Sequence, residues 1–494
     1  MFEAAELGRK VSKQDYEARI PALRAGLLQT QLELRGSTTP VIVIISGADG
    51  AGKGETVNRL HEWLDPRGLE SHVFGVEPAS DEEQERPPYW TFWRTLPARG
   101  RIGILFGSWY TRPIVRRVRG EIGKAQLEVE LARIAFFEQM LAEDGALIVK
   151  FWLHLAKKAQ RKRLERLESR AQTRWRVSPL DWKHFKLYDK FVKVSERALS
   201  RTDAAWAPWH IVEAADDRYR HLTVGQTLLK ALTRAGGRPA PTPRALATPS
   251  SPARREASVG VLDRVKLATR LTDAEYEKRM ARLQARMSKL ARAAWEGKRS
   301  SVFVFEGWDA AGKGGAIRRL TEAMDAKLYR VIPIGAPSDE ERAHHYLWRF
   351  WRQIPRAGFV TIYDRSWYGR VLVERVEGFA KEAEWMRAYL EINDFEEQLV
   401  EHGIVLTKFW IHLGREEQLR RFQDRQETAY KRHKITEEDW RNRKKWDAYE
   451  AAINDMVERT STRHAPWALV AGNDKRFARV QVLETACRRL EDAL

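Results

Sequence analysis

Cysteine is almost absent from this 494-residue chain: Cys487 stands alone, so no internal disulfide can staple the fold. No apolar run is long enough to cross a bilayer. The opening MFEAAELGRKVSKQDYEARI lacks the apolar centre of a secretion signal, and the compartment expected is the cytoplasm. Acids are in deficit as well. Against 68 Asp+Glu stand 87 Lys+Arg, a net charge of +19, which asks for a polyanion among the partners. Nucleic acid, an anionic membrane and inorganic polyphosphate all satisfy that sign. The histidines show no metal-ligand spacing, and His344 with His345 reads as a surface pair rather than a zinc site.

What the chain does have, it has twice. VIVIISGADGAGKGETVNRL matches SVFVFEGWDAAGKGGAIRRL, TFWRTLPARG matches WRFWRQIPRAG, KFWLHLAKKAQRKRLERLE matches KFWIHLGREEQLRRFQDRQ, and APWHIVEA matches APWALVAG. From the Ser-Trp-Tyr segment onward the offset is constant at 258, as between Phe106 and Asp364 or Lys150 and Lys408. Repetition at this scale marks a duplicated and fused gene. A chain of this length exceeds one hydrophobic core. The reading is therefore two domains, 1–234 and 258–494, joined by a Pro/Ala/Ser-rich linker over 235–257.

Within each copy, β-branched runs such as VIVIIS and SVFVFE alternate with stretches of helical period such as GETVNRLHEWL and GGAIRRLTEAM. That alternation predicts an α/β domain, a mainly parallel sheet with helices on both faces. A long helical stretch precedes the first strand of each copy, expected to pack on the sheet or at a domain interface.

The segment FEGWDAAGKGG carries the chemistry. Gly307 and Gly312 flank four residues between a strand and a helix, and Lys313 follows. Such glycines let backbone N–H groups surround phosphate oxygens while the lysine supplies a point charge. The hydroxyl residue that usually follows the lysine and binds magnesium is missing, because Gly314 occupies its place. Other residues must hold the metal. Asp309 in the loop and Asp364 at the carboxyl end of FVTIYD are the candidates, since Mg²⁺ favours one or two carboxylates plus phosphate oxygens. Asp364 as a mere helix cap is the plainer alternative. Its loss together with Arg365, to Phe106 and Gly107 in the first copy, favours chemistry.

After KFWIHL, the stretch GREEQLRRFQDRQETAYKRHK is rich in base: Arg420, Arg421, Arg425, Lys431, Arg432 and Lys434. A solvated helical surface would look the same. In a phosphate-handling protein it also suits a lid, with arginine gripping phosphate in a bidentate fork, and Arg421, Arg425, Lys431 and Arg432 are its expected phosphate contacts. Tryptophans near these motifs, such as Trp348, Trp351 and Trp367, read mainly as core because they recur in the first copy.

Taken together, GWDAAGKGG, YDRSWYGRVLVERV, KFWIHL and APWALVAGND resemble the family 2 polyphosphate kinases, P-loop kinases related in fold to thymidylate kinase. The two-domain plan is similar to the subgroup that moves the terminal phosphoryl group of polyphosphate onto AMP to give ADP. The resemblance implies that Asp309 and Asp364 coordinate Mg²⁺, with Mn²⁺ as a substitute, and that Lys313 contacts phosphate. It further implies that Arg365 and Arg370 steady the transferring and acceptor groups, and that Glu374 orients them. The N-terminal copy keeps Asp49, Lys53, Ser108 and Arg112 but not the second acid or its arginine, so it is expected to be inactive and to replace a homodimer contact. Acceptor choice stays open between AMP, GMP and ADP, as does the direction of transfer. A nucleic-acid-binding NTPase is the rival from another class; no RNA or DNA module supports it.

Overall fold

The computed structural model describes residues 1–77, 80–236, 260–428 and 435–494. Its two central strands are the two most apolar runs of the repeat. Val41–Gly47 (β1) and Ser301–Gly307 (β6) each bury six consecutive residues, which requires cover on both faces of the sheet. Around β1 the parallel order is β2-β3-β1-β4-β5, with β2 at Leu69–Val73, β3 at Ile102–Phe106, β4 at Leu147–His154 and β5 at Trp209–Glu213. Around β6 it is β7-β8-β6-β9-β10, with β7 at Tyr329–Pro333, β8 at Val360–Asp364, β9 at Val405–His412 and β10 at Trp467–Ala471. Both orders reverse direction at the strand that carries the glycine-rich loop, and such a switch point opens a crevice at the strands' carboxyl ends.

The helices that precede β1 and β6 pack inside their own units. Leu23, Leu27 and Leu34 of Lys13–Leu34 join the apolar cluster of Val41, Val43 and Ile45. Asp273–Glu296 starts with a Thr272/Glu275 capping box and lies along Lys475–Glu491, where Arg279 meets Glu484 at 2.7 Å. Cys487, on that last helix, is buried and free.

The chain forms two compact units whose membership is not colinear with the repeat. One comprises Met1–Ser80, the chain from Thr91 to Gly236 and Asp339–His345; the other comprises Asp81–Trp90, the chain from Gly260 to Ser338 and Tyr346–Leu494. In the first, the Arg99 N–H donates to the Ala343 carbonyl at 2.8 Å. In the second, Arg86 Nε donates to the Ile354 carbonyl at 3.0 Å and Arg356 pairs with Glu85 at 2.6 Å. The units thus depart from the linear division at 1–234 and 258–494 by two short segments that occupy equivalent places in the repeat. Periodicity cannot reveal this, because an exchanged segment keeps its sequence.

One buried network recurs in both units. Lys150 Nζ reaches Glu138 at 2.6 Å, the Tyr110 hydroxyl at 3.1 Å and the Thr202 carbonyl at 2.7 Å, while the Trp109 indole N–H donates to Glu138 at 3.0 Å. Lys408 makes the same contacts to Glu396 at 2.7 Å, Tyr368 at 2.9 Å and the Thr460 carbonyl at 2.7 Å, with Trp367 donating to Glu396 at 3.1 Å. Both ion pairs are fully buried. The repeated Ser-Trp-Tyr and Lys-Phe-Trp motifs therefore serve the interior: Trp and Tyr saturate the carboxylate that balances a lysine placed inside a strand.

Candidate active site

The glycine-rich loop joins β6 to the helix Lys313–Thr321. Gly307 sits at φ +153° with the Ile411 carbonyl where a Cβ would stand, 2.6 Å away, so only glycine brings the loop this close to β9. Gly312, at φ +102°, starts the helix, and Gly314 has open space around its Cα on the first turn. Lys313 folds back over the loop and donates to the Gly307 and Trp308 carbonyls at 2.8 and 3.3 Å. Burial lowers its pKa, opposed by Asp309.

The β6–β8 register pairs Phe305 with Asp364, which brings the carboxyl end of β8 beside the loop. Asp309 accepts from Arg365 at 3.1 Å and from the Asn442 amide at 3.0 Å. Arg365 has φ +63°, a left-handed conformation that costs a non-glycine residue on the order of 1 kcal/mol. From that turn the guanidinium reaches Asp309 in the loop. Burial works against its charge, yet Asp309 and Glu306 hold its pKa above the ordinary value. Beyond, the Arg370 guanidinium pairs with Glu374 at 3.2 Å and lies 4.5 Å over the Tyr346 ring; its buried Nε has no hydrogen-bond partner among the described residues.

Sequence reasoning missed Glu306. It is buried, accepts from the Ser366 hydroxyl at 2.8 Å, and has a carboxyl pKa raised by burial, with Lys313, Arg365 and Asp364 as charged neighbours. The signal was an acid inside the apolar run SVFVFEG. Asn442 and Gln418 were missed too; the latter donates to the Asp309 carbonyl at 3.2 Å. No local pattern marks either one.

Arg421 is placed otherwise than a lid contact would be. Its guanidinium is buried and donates to the loop carbonyls of Ala310 and Ala311 at 3.0 and 3.2 Å, and to Gly472 and Asn473 at 2.7 and 2.9 Å; its Nε meets Glu417 at 2.6 Å. It ties the glycine-rich loop to the segment after β10. Arg425 lies half-buried in the last turn of Arg415–Glu427. Lys431, Arg432 and Lys434 lie outside the described residues. Trp348, Trp351 and Trp367 are buried in the core. Trp308 instead stacks on Trp446, with ring centres 3.7 Å apart, and its indole N–H donates to His412 at 3.1 Å.

As a metal site, the loop offers hard oxygen donors: Asp309 and Asp364 are charged neighbours of the lysine, as is the buried Glu306. Among the described residues no group of three or more His, Cys, Asp or Glu gathers as a complete ligand set. Two carboxylates completed by phosphate oxygens and water suit Mg²⁺, which rarely occupies an all-protein cage.

The equivalent place in the first unit differs in kind. Lys53 donates to the Gly47 and Ala48 carbonyls at 2.9 and 3.0 Å, as Lys313 does, but Asp49 pairs with His184 at 3.1 Å and Lys53 at 3.6 Å. Although burial opposes it, His184 and Lys53 bring the Asp49 pKa down to about 2. Gly107, at φ +73°, keeps the left-handed turn of Arg365 without its guanidinium.

The Polyphosphate kinase 2 (PPK2) family model matches residues 10–238 and again 270–494. The chain is 52% identical over 497 residues to a polyphosphate:AMP phosphotransferase of Pseudomonas aeruginosa, covering 100% of this chain and 99% of that protein. It is 50% identical to a polyphosphate:AMP phosphotransferase of Pseudomonas syringae pv. tomato, with the same coverage. A crystal structure assigned to polyphosphate kinase 2 from Pseudomonas aeruginosa superposes with a TM-score of 0.90 at 51% identity, covering 100% of this chain and 99% of that one. The protein belongs to the polyphosphate kinase 2 family and is a kinase built of two such domains in tandem.

Proposed function

We propose that the protein transfers the terminal phosphoryl group of inorganic polyphosphate to AMP, giving ADP, at the loop of the second unit. One observation carries this reading: the lysine, two carboxylates and strained arginine of a phosphoryl-transfer site converge there, in a chain alike end to end to polyphosphate:AMP phosphotransferases. The attacking atom is an AMP phosphate oxygen, already anionic at neutral pH, so no strong base is required. Catalysis then rests on position and on neutralising charge spread over the equatorial oxygens.

Lys313 leaves its loop carbonyls to meet phosphate, and Arg365 leaves Asp309 for the transferring group. Arg370, fixed by Glu374 and Tyr346, holds the acceptor phosphate. Asp309 and Asp364 would hold Mg²⁺, or Mn²⁺ in its stead, and the ion would supply positive charge to offset that of the phosphate oxygens. Glu306 keeps Ser366 and the start of the Trp367–Arg370 turn in place through its hydrogen bond. Arg421 positions the loop, and Arg425 with the basic stretch after it draws in the polyanion, so activity should fall as salt rises.

The first unit, lacking the second carboxylate and the guanidinium, does not carry the reaction. ADP formation by the full chain, with polyphosphate as sole donor and Mg²⁺ present, is the test. A requirement for ATP, or turnover with ADP as acceptor but none with AMP, would refute the proposal.

A further inference from the structure

A cavity of about 250 Å³ in the first unit lies on its glycine-rich loop, bordered by Gly47, Asp49 and Lys53. A single water needs only roughly 10–15 Å³ on this measure. Its inner wall is apolar: Phe74, Phe106, Ile114, Val118, Leu187 and Phe191. The repeat explains the change. Phe106 stands where the second unit has Asp364, Gly107 where it has Arg365, Ser46 where it has Glu306, and Phe191 and Leu187 where it has Tyr449 and Lys445. The charged groups of an active site have been exchanged for a smooth lining around a retained loop.

A second feature points to a ligand. Ser46, Trp152 and Gln160 border the cavity, are more than nine-tenths buried, and keep polar atoms without hydrogen-bond partners among the described residues: a hydroxyl, an indole N–H and an amide oxygen. Unpaired buried polar groups are costly unless something else satisfies them. They are a donor and acceptors of the kind a heterocycle edge presents, and the Trp152 ring stacks beside Phe191 at 5.8 Å.

We propose that this cavity binds a nucleoside phosphate, with its phosphate on Lys53 and the amides of the helix Lys53–Trp63, its base among the aromatic walls, and no divalent cation. A bare polyphosphate chain does not fit, because its charges would lose water against phenylalanine and valine. A metal-bound nucleotide does not fit either. Phe106 has removed one carboxylate, and Asp49, the other, is already paired with His184 and Lys53. The charged groups that line the cavity are Lys53, Arg119, Asp49 and His184, and phosphate draws Lys53 off its two carbonyls.

The test is equilibrium binding of AMP and ADP to the full chain in excess EDTA, followed by calorimetry. The expected result is one metal-independent site per chain. Lys53→Ala should weaken it about 10- to 100-fold, the loss of one charge-assisted hydrogen bond, and Val115→Trp, which fills the cavity, should abolish it. Both variants should keep ADP formation from polyphosphate and Mg²⁺, so failure here is separable from failure of the assigned reaction. Absence of EDTA-resistant binding overturns the proposal. So does binding lost in Lys313→Ala but kept in Lys53→Ala, or a simple alkyl phosphate binding as tightly as AMP. Should Lys53→Ala unfold, Val115→Trp alone decides.

Discussion

The two halves agree in one buried side-chain network and diverge around their glycine-rich loops. The Lys–Glu–Tyr–Trp networks around Lys150 and Lys408 match contact for contact. Around the two loops, however, an aspartate has become Phe106, an arginine Gly107 and a buried glutamate Ser46. A buried charge left without its partner destabilises the whole unit, so the network cannot drift. A catalytic carboxylate has no such hold once its reaction is performed elsewhere in the same chain. Retention of the buried network in both copies thus follows from folding, whereas nothing in the fold obliged the first copy to keep the counterparts of Asp364 and Arg365.

The comparison breaks first if the twin networks are unequal. Lys150→Met and Lys408→Met should each destabilise their unit by about 3–5 kcal/mol, because each strands a buried glutamate; urea unfolding monitored by tryptophan fluorescence reads this, and a small effect at Lys150 would show the first core to be slack. Next in size is catalysis. Asp364→Asn should lower ADP formation about 100- to 1000-fold, whereas Asp49→Asn should leave the rate unchanged, and steady-state kinetics with both variants sharpens or ends the contrast.

Acid should act on both units alike. Burial lowers His412 and His221 from an ordinary 6.5 to about 4. Each is neutral when folded, so in that interval the unfolded chain binds more protons and stability rises with pH. It is full above 6.5, declines as pH falls toward 4, and loses nothing further from these groups below that, a span on the order of 1–3 kcal/mol per histidine. Melting temperatures between pH 7 and 4 measure it, and His412→Gln should flatten the part due to the second unit.

The smallest effect on stability concerns the turn after β3 and β8. Arg365→Gly should stabilise the fold by up to about 1 kcal/mol while removing activity, since the left-handed φ is natural to glycine. Placing arginine at Gly107 should destabilise without restoring activity, because its Cβ would stand 2.3 Å from the Phe74 carbonyl. A gain of stability at Gly107→Arg would undo the strain argument.

Strand-loop-helix order, the duplicated plan and the loop residues Gly307, Gly312 and Lys313 were legible because each follows from local periodicity or spacing. Asp364 was legible through the contrast with Phe106. Glu306 was visible as an acid in a buried strand but went unread. Arg421 was read as a phosphate contact of a basic lid, since composition cannot tell an exposed guanidinium from one that closes on four carbonyls. The exchanged segments at 81–90 and 339–345 leave no local trace at all.

By itself, the order of residues determined which segments become strands, where a phosphate-binding loop interrupts them, and that one copy had lost its acid and base. These are one-dimensional properties, set by side-chain period and backbone freedom. Only the tertiary structure decided that Glu306 lies behind the loop, that Arg421 braces it, and that the lost groups of the first copy leave a lined cavity. Each depends on atoms far apart in the chain meeting within a few ångströms, and burial and hydrogen bonding fix that only once the sheets have formed.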